Sequence, residues 1–157
     1  MNNISAVIRD LGPSQKSFYL IKAFNKMSQS VENCTSVFFE RPSLHVTKPF
    51  FACMDVSFLS SFSGHAIATT VQEASILLKC NNACKKFLYL WDMEWLDQPM
   101  NFSPVCDVLL DDRLHIIARS ESHAQIIENF CNKKVCGIVD DWNPDQLLTA
   151  LRSCENE

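Results

Sequence analysis

Glycine is scarce in this sequence, which has three glycines in 157 residues. It contains neither a G-x-G-x-x-G motif nor a Walker-type lysine motif, and both need closely spaced glycines so that the backbone can approach phosphate groups. The sequence therefore predicts neither a dinucleotide fingerprint nor a P-loop.

Basic clusters and long apolar runs are also missing. The formal net charge is −4, and the lysines and arginines are scattered apart from the pairs at 85–86 and 133–134. Without a basic stripe to neutralise a phosphate backbone, direct nucleic-acid binding is not expected. No 18 successive residues are apolar, and residues 1–10 lack the basic and apolar segments of a secretory signal. We expect a cytoplasmic protein without a membrane span.

The sequence has eight cysteines, but they are not spaced like metal ligands. Cys80 and Cys84 are separated by three residues, and no second close pair of cysteines or histidines lies at zinc-finger spacing. A chain of this length buries an ordinary core without disulfides. We therefore expect reduced thiols, no bound metal, and a single domain over residues 1–157.

Short apolar runs alternate with segments of helical periodicity. Leu20, Ala23, Phe24 and Met27, for example, recur on one face and predict a helix from about residue 14 to 28. Strands alternating with helices form right-handed crossovers and a parallel sheet covered on both faces. The sequence thus predicts an α/β fold, a Rossmann-like three-layer sandwich with a mostly parallel sheet of five or six strands. The predicted strands span 4–8, 36–40, 66–69, 87–91, 114–118 and 135–139.

Polar side chains mark the starts of the later helices. Thr70, with an acid three residues on, has the spacing of a capping box. Ser120 or Ser122 caps the next helix but one, and the pair at 143–144 opens the last helix. The stretch 99–104 leads into a further short helix. The Phe-rich segment 50–62 has no clear period and is compatible with a short strand or an irregular segment.

Ligands of open parallel sheets bind at the carboxyl ends of the strands. After the first strand, Gly12 permits a tight turn, and Ser14 and Lys16 stand at a helix amino terminus whose free donors favour an anion. A simple turn that needs glycine is the alternative. Thr70 follows a later strand and would lie at the same edge.

Residues 91–95 combine two large aromatics with two carboxylates directly after a buried strand. Trp91 and Trp95 could stack on a sugar, and Asp92 or Glu94 could act as a general base. The alternatives are burial of both tryptophans under a loop and solvated acids at a strand end.

A further set of polar residues follows the last two strands. Arg119, Ser120 and His123 stand where a strand passes into a helix, a place where a cation and a helix end could meet an anionic ligand. Asp141 could accept hydrogen bonds from hydroxyl groups. A packed or capping histidine and a capped turn are the structural alternatives.

Two groups of segments resemble a known family. Residues 116–124 (IIARSESHA), followed by 126–129 (IIEN) and 137–141 (GIVDD), resemble the amino-terminal Rossmann-like half of two-domain GT-B glycosyltransferases. Over residues 4–150 the chain is similar to small glycosyltransferase-like proteins of tailed bacteriophages, most distinctively at 10–17 (DLGPSQKS) and 88–95 (LYLWDMEW).

The resemblance implies sugar transfer from a nucleotide sugar, or binding of the glycan acceptor, in the host cytoplasm. In that family most of the nucleotide-sugar site lies in the carboxyl-terminal half, beyond the region of resemblance. It therefore implies an acceptor-binding half, a two-chain enzyme with a partner chain, or a fold retained for another task. No cofactor is implied besides the nucleotide-sugar donor.

A noncatalytic interaction module is the alternative function. Phe50, Phe51, Phe58 and Phe62 would form an interface with a partner or with a second copy if they are exposed. A phosphoacceptor receiver domain shares the predicted architecture, but Asp10 is the single acid near the end of the first strand, where that class needs a pair.

Overall fold

The computed structural model describes residues 2–81, 84–97 and 102–154, which form a parallel sheet of seven strands with helices on both faces. The strands are β1 (Asn2–Ile8), β2 (Asn33–Phe39), β3 (Ala52–Asp55), β4 (Gly64–Ala68), β5 (Cys84–Leu90), β6 (Leu114–Ala118) and β7 (Gly137–Ile138). The helices are α1 (Gln15–Met27), α2 (Val71–Lys79), α3 (Glu94–Asp97), α4 (Phe102–Leu109), α5 (Glu121–Cys131) and α6 (Pro144–Ser153). Short 3-10 helices span Val56–Ser61 and Asp140–Trp142.

The strand order is β3-β2-β1-β4-β5-β6-β7, and every pair is parallel. The chain runs outward from β1 to β3, returns to the other side of β1, and continues outward to β7. This order confirms the predicted Rossmann-like α/β sandwich. The direction of winding reverses between β1 and β4, and such a point opens a crevice at the carboxyl ends of the two strands.

The sheet has more strands than the five or six predicted, because β3 lies in the Phe-rich segment whose period was ambiguous. β3 is an edge strand of four residues, and two of them, Cys53 and Met54, are half-buried. So short a strand has no resolvable alternation. At the other edge, β7 keeps only two residues of the predicted strand 135–139.

The two faces of the sheet bury two apolar clusters. Side chains alternate along a strand, so Ala6 and Ile8 of β1 face α1 and α6, whereas Val7 faces the layer of α2, α4 and α5. Phe24 and Trp142, both fully buried, fill the first cluster with their rings 6.0 Å apart, edge to face. Together the two layers fix the sheet edge that carries the loops after β1, β4 and β5.

The predicted helix caps at Thr70, Ser120 and Asn143 are confirmed, and the structure adds a cap at Ser14. The side chains of Ser14, Thr70, Ser120 and Asn143 each accept a hydrogen bond from a backbone N–H in the first turn of the helix that follows. α4 begins at Phe102, and residues 99–101 of the predicted stretch 99–104 lie outside the described residues. Among the helices within the described ranges, none combines the length and apolar character needed to cross a membrane.

The buried hydroxyl of Tyr89 ties β5 to the end of β7, because it donates to the carbonyl of Val139 at 2.6 Å. Tyr89→Phe leaves that carbonyl without its donor, and we expect the free energy of unfolding to fall by about 1–3 kcal/mol in urea denaturation. Tyr19→Phe is the matched control, since the Tyr19 hydroxyl has no hydrogen bond within the described residues, and its cost should stay below about 0.5 kcal/mol. Equal losses in the two variants would contradict this account.

Candidate functional site

A crevice of about 660 Å³ opens where the winding reverses. Its walls come from the loop after β1, the first turns of α1 and α2, the residues after β5, and one face of α4. This is the edge at which the fold predicts a ligand site. The ionisable and hydroxyl side chains that line it include Asp10, Ser14, Lys16, Thr70, Glu73, Asp92 and Glu94.

Two backbone donors at this crevice already have carboxylate acceptors. The N–H of Gly12 donates to the Asp10 carboxylate at 2.9 Å. The first N–H of α2, that of Val71, has no acceptor within the helix and donates to the Glu94 carboxylate at 2.9 Å. A Cβ at Gly12 would lie 2.7 Å from the same Asp10 oxygen, so the glycine is explained by close approach within a turn. The chain's own carboxylates therefore occupy one donor of the predicted anion cradle, at Gly12, and one donor at the start of α2.

Glu73 lies in the first turn of α2 and forms the floor of the crevice. Its side chain is 2% exposed, and one carboxylate oxygen accepts a hydrogen bond from the Thr70 hydroxyl, which in turn accepts from the Glu73 N–H. Burial raises the pKa of Glu73 to about 7, and the negative charges of Glu40 and Glu94 act in the same direction. The Lys16 ammonium opposes the increase.

Glu94 reaches the crevice from α3, the short helix after β5. Burial raises its pKa as well, while the Val71 N–H and Lys16 favour the ionised carboxylate, and Asp92 disfavours it. The Lys16 ammonium, 3.5 Å from the Thr69 carbonyl oxygen, thus acts on two carboxylates, the buried Glu73 and the half-buried Glu94. Four carboxylates line the site, from Asp10, Glu73, Asp92 and Glu94, against the cationic side chains of Lys16 and Arg9.

Several of the predicted site residues come together in this crevice: Ser14, Lys16, Thr70, Asp92 and Glu94 all line it. Gly12 lies next to it, inside the turn, and does not line it.

The two predicted stacking residues do not offer an open face to a sugar. Trp91 is 6% exposed, and the Arg119 guanidinium lies 3.9 Å above the centre of its ring. Trp95 is 5% exposed and stacks on Phe130 in the layer of α2, α4 and α5. Both tryptophans are therefore buried, as the alternative predicted, but Arg119 covers Trp91 and Phe130 of α5 covers Trp95 where a loop was expected.

Arg119 and Asp141, predicted to bind ligand, bind each other. Two guanidinium nitrogens of Arg119 lie 2.7 and 3.1 Å from one Asp141 oxygen. The pair holds Asp141 in a left-handed conformation with φ of 41°, which aspartate tolerates better than most residues. Ser120 caps α5 by accepting from the N–H of His123, and neither of these two side chains lines the crevice.

Glu73 is the site residue that the sequence did not reveal. Its place three residues after Thr70 predicted a part in the helix cap, and the hydrogen bonds between the two residues confirm that part. Nothing in the local sequence shows that Glu40 and Glu94, distant along the chain, approach the same carboxyl. Only the tertiary contacts of the folded chain reveal this part of the site.

Metal binding finds no support in the described residues. Among them, no three histidine, cysteine or acidic side chains converge as ligands for an ion. All eight cysteines lie within the described ranges, and none of them forms a disulfide there.

Comparison with known proteins gives no relative: no family model, curated protein or solved structure matches this chain. The resemblance to glycosyltransferases therefore stays a prediction from the sequence segments that carry it.

The buried carboxyl of Glu73 predicts a specific pH dependence of stability. Between about pH 4.5 and 7 the folded protein keeps a proton on Glu73 that the unfolded chain loses, so stability falls as the pH rises through this interval. Glu73→Gln should abolish this contribution, about 2–3 kcal/mol between pH 5 and 8. Urea denaturation across that range measures it.

Glu121→Gln, at an exposed position in the first turn of α5, is the matched control and should leave the pH dependence of wild type unchanged. Parallel stability curves for Glu73→Gln and wild type would contradict the assignment.

Proposed function

We propose that this protein is a glycosyltransferase-like domain that binds a sugar acceptor in the crevice at the carboxyl ends of β1, β4 and β5. The observation that carries the proposal is Glu73, a buried carboxyl on the crevice floor whose pKa lies close to neutral pH. A carboxyl that titrates near the working pH is well suited to accept a proton from a ligand hydroxyl.

The lining favours hydroxyl groups over phosphates. Phosphate sites rely on free backbone N–H groups, and here those of Gly12 and Val71 already donate to carboxylates. Sugar hydroxyls can instead donate to the exposed carboxylate of Asp92 and accept from Lys16. An acceptor sugar therefore fits the crevice better than the diphosphate of a nucleotide-sugar donor does.

In the proposed reaction, Glu73 takes the proton of the acceptor hydroxyl as the hydroxyl oxygen attacks the anomeric carbon of a nucleotide sugar. The new glycosidic bond forms as the bond to the diphosphate breaks, and the nucleotide diphosphate leaves with the electron pair. The Thr70 hydroxyl holds one oxygen of Glu73, which leaves the other for the ligand. A nucleotide-sugar-binding domain would have to face the crevice for transfer to occur.

Binding to uncharged sugars tests this function. In amide chemical-shift titrations with a panel of methyl glycosides, we expect shifts at residues 70–75 and at Asp92, and no comparable shifts with uridine diphosphate. Ser75, half-buried on the crevice wall, provides the blocking variant: Ser75→Phe fills the space and should weaken binding at least about tenfold.

Ser122→Phe, at an exposed site on α5, is the matched control and should bind like wild type. If no glycoside shifts the crevice resonances, or if Ser75→Phe binds as well as wild type, the proposed acceptor site is wrong.

Two exposed aromatic rings favour a second candidate function, self-association. Phe50 and Phe58, which flank the edge strand β3, are 67% and 60% exposed. Phe51 and Phe62 instead pack edge to face on buried rings of the core. Exposed large apolar side chains beside an unpaired strand edge are typical of an interface.

Sedimentation velocity tests this candidate. A dimer that Phe50→Ser together with Phe58→Ser converts to a monomer would support it, whereas a monomeric wild-type protein at about 0.1 mM would argue against it.

A further inference from the structure

The charges around the crevice are unequal. Asp10, Glu73, Asp92 and Glu94 line it, against Lys16 and the exposed side chain of Arg9. A buried carboxylate without a positively charged partner has nothing to offset the cost of burying its negative charge.

A further carboxylate stands close to Glu73 at the end of β2. One oxygen of Glu40 is buried and has no hydrogen-bond partner within the described residues. The negative charges of Glu40 and Glu94 both act on Glu73, and the Lys16 ammonium acts on Glu73 and Glu94. A second cation in the crevice would relieve this repulsion.

We propose that the ligand of the crevice is an amine-bearing sugar, whose ammonium group pairs with the free oxygen of Glu73 beside the reacting hydroxyl, while its other hydroxyls bind Asp92 and Lys16. This inference rests on the proposed function, because it names the class of acceptor that the same crevice takes. A charge-assisted contact to a buried carboxylate is stronger than a neutral one, which gives the amine its selectivity.

An organic ammonium fits the site better than a metal ion does. Among the described residues no three acidic, histidine or cysteine side chains converge as ligands. An ammonium needs only one carboxylate as its main partner, and its remaining N–H groups can be shared with water.

The ion pair between the ligand's ammonium group and Glu73 couples ligand binding to the protonation of Glu73. The groups that act on Glu73 are Lys16 from α1, Glu40 after β2, Glu94 from α3, and the Thr70 hydroxyl. An added ammonium favours the ionised carboxylate, so Glu73 must release its proton when the ligand binds at a pH below its own pKa. Affinity for the amine therefore rises as the pH increases from 6 to 8, whereas affinity for a neutral sugar does not.

Three matched probes test the proposal by calorimetry at pH 6 and pH 8: methyl glucoside, methyl 6-amino-6-deoxyglucoside and glucose 6-phosphate. The amine of the second probe stays largely protonated at both values. At pH 8 we expect the amino sugar to bind about tenfold or more tightly than the neutral glucoside, the free-energy difference of one charge-assisted hydrogen bond. The advantage should shrink at pH 6, and the phosphate should bind most weakly.

Two variants identify the group responsible. Glu73→Gln keeps the shape of the side chain and should reduce the preference for the amino sugar over the neutral glucoside to less than about threefold. Glu121→Gln on α5 should keep the full preference. Addition of Mg²⁺ serves as a metal probe and should not displace the amino sugar.

The outcomes separate the two proposals. Equal affinity for the amino and neutral sugars in wild type, an undiminished preference in Glu73→Gln, or displacement by Mg²⁺ overturns the amine inference and leaves sugar binding intact. Failure of all the sugars to bind overturns the proposed function and the inference together.

Discussion

β1 and β4 pair in parallel from Ile4 and His65 to Val7 and Ala68, so the loops that follow both strands leave the sheet at the same edge. The two strands are far apart in sequence, and their pairing places α1 and α2 with their amino termini side by side. Without this pairing, Lys16 on α1 and Glu73 on α2 would not share a crevice. The chemistry proposed for the protein depends on that one contact between strands.

The groups at the helix amino termini of this crevice are unusual for a sheet with this strand order. Helix amino termini at such a position commonly bind phosphate, yet here the carboxylate of Glu94 occupies the start of α2 and that of Asp10 occupies the turn before α1. Under the proposed function, internal carboxylates in these places disfavour anions and leave hydroxyl or ammonium groups as favourable partners. This arrangement lowers the stability of the folded protein, because a buried carboxylate such as Glu73 resists ionisation.

Much of the fold could be predicted because its signals are local. Thr70, Ser120 and Asn143 begin helices for reasons contained within four residues, and apolar runs such as 114–118 become strands in the sheet interior. β3 was harder, since an edge strand of four residues does not establish a period. Its existence depends on pairing with β2, which sequence patterns do not contain.

The site was predicted in part, for the same physical reason. Lys16, Asp92 and Glu94 follow strand ends, and a parallel sheet brings strand ends together, so their place in the crevice follows from the topology. Whether a side chain turns toward that space depends on its neighbours: Trp91 is covered by Arg119, and Arg119 is held by Asp141. Such contacts join residues up to 28 positions apart and have no local signature.

The central claim is that Glu73 is a buried acid on the floor of a ligand-accessible crevice. The most direct measurement follows the ¹³C resonance of its side-chain carboxyl as the pH is varied, with Glu73→Gln used to assign the signal. The account predicts a midpoint at about pH 7, whereas a midpoint near the ordinary value of 4.5 would contradict it.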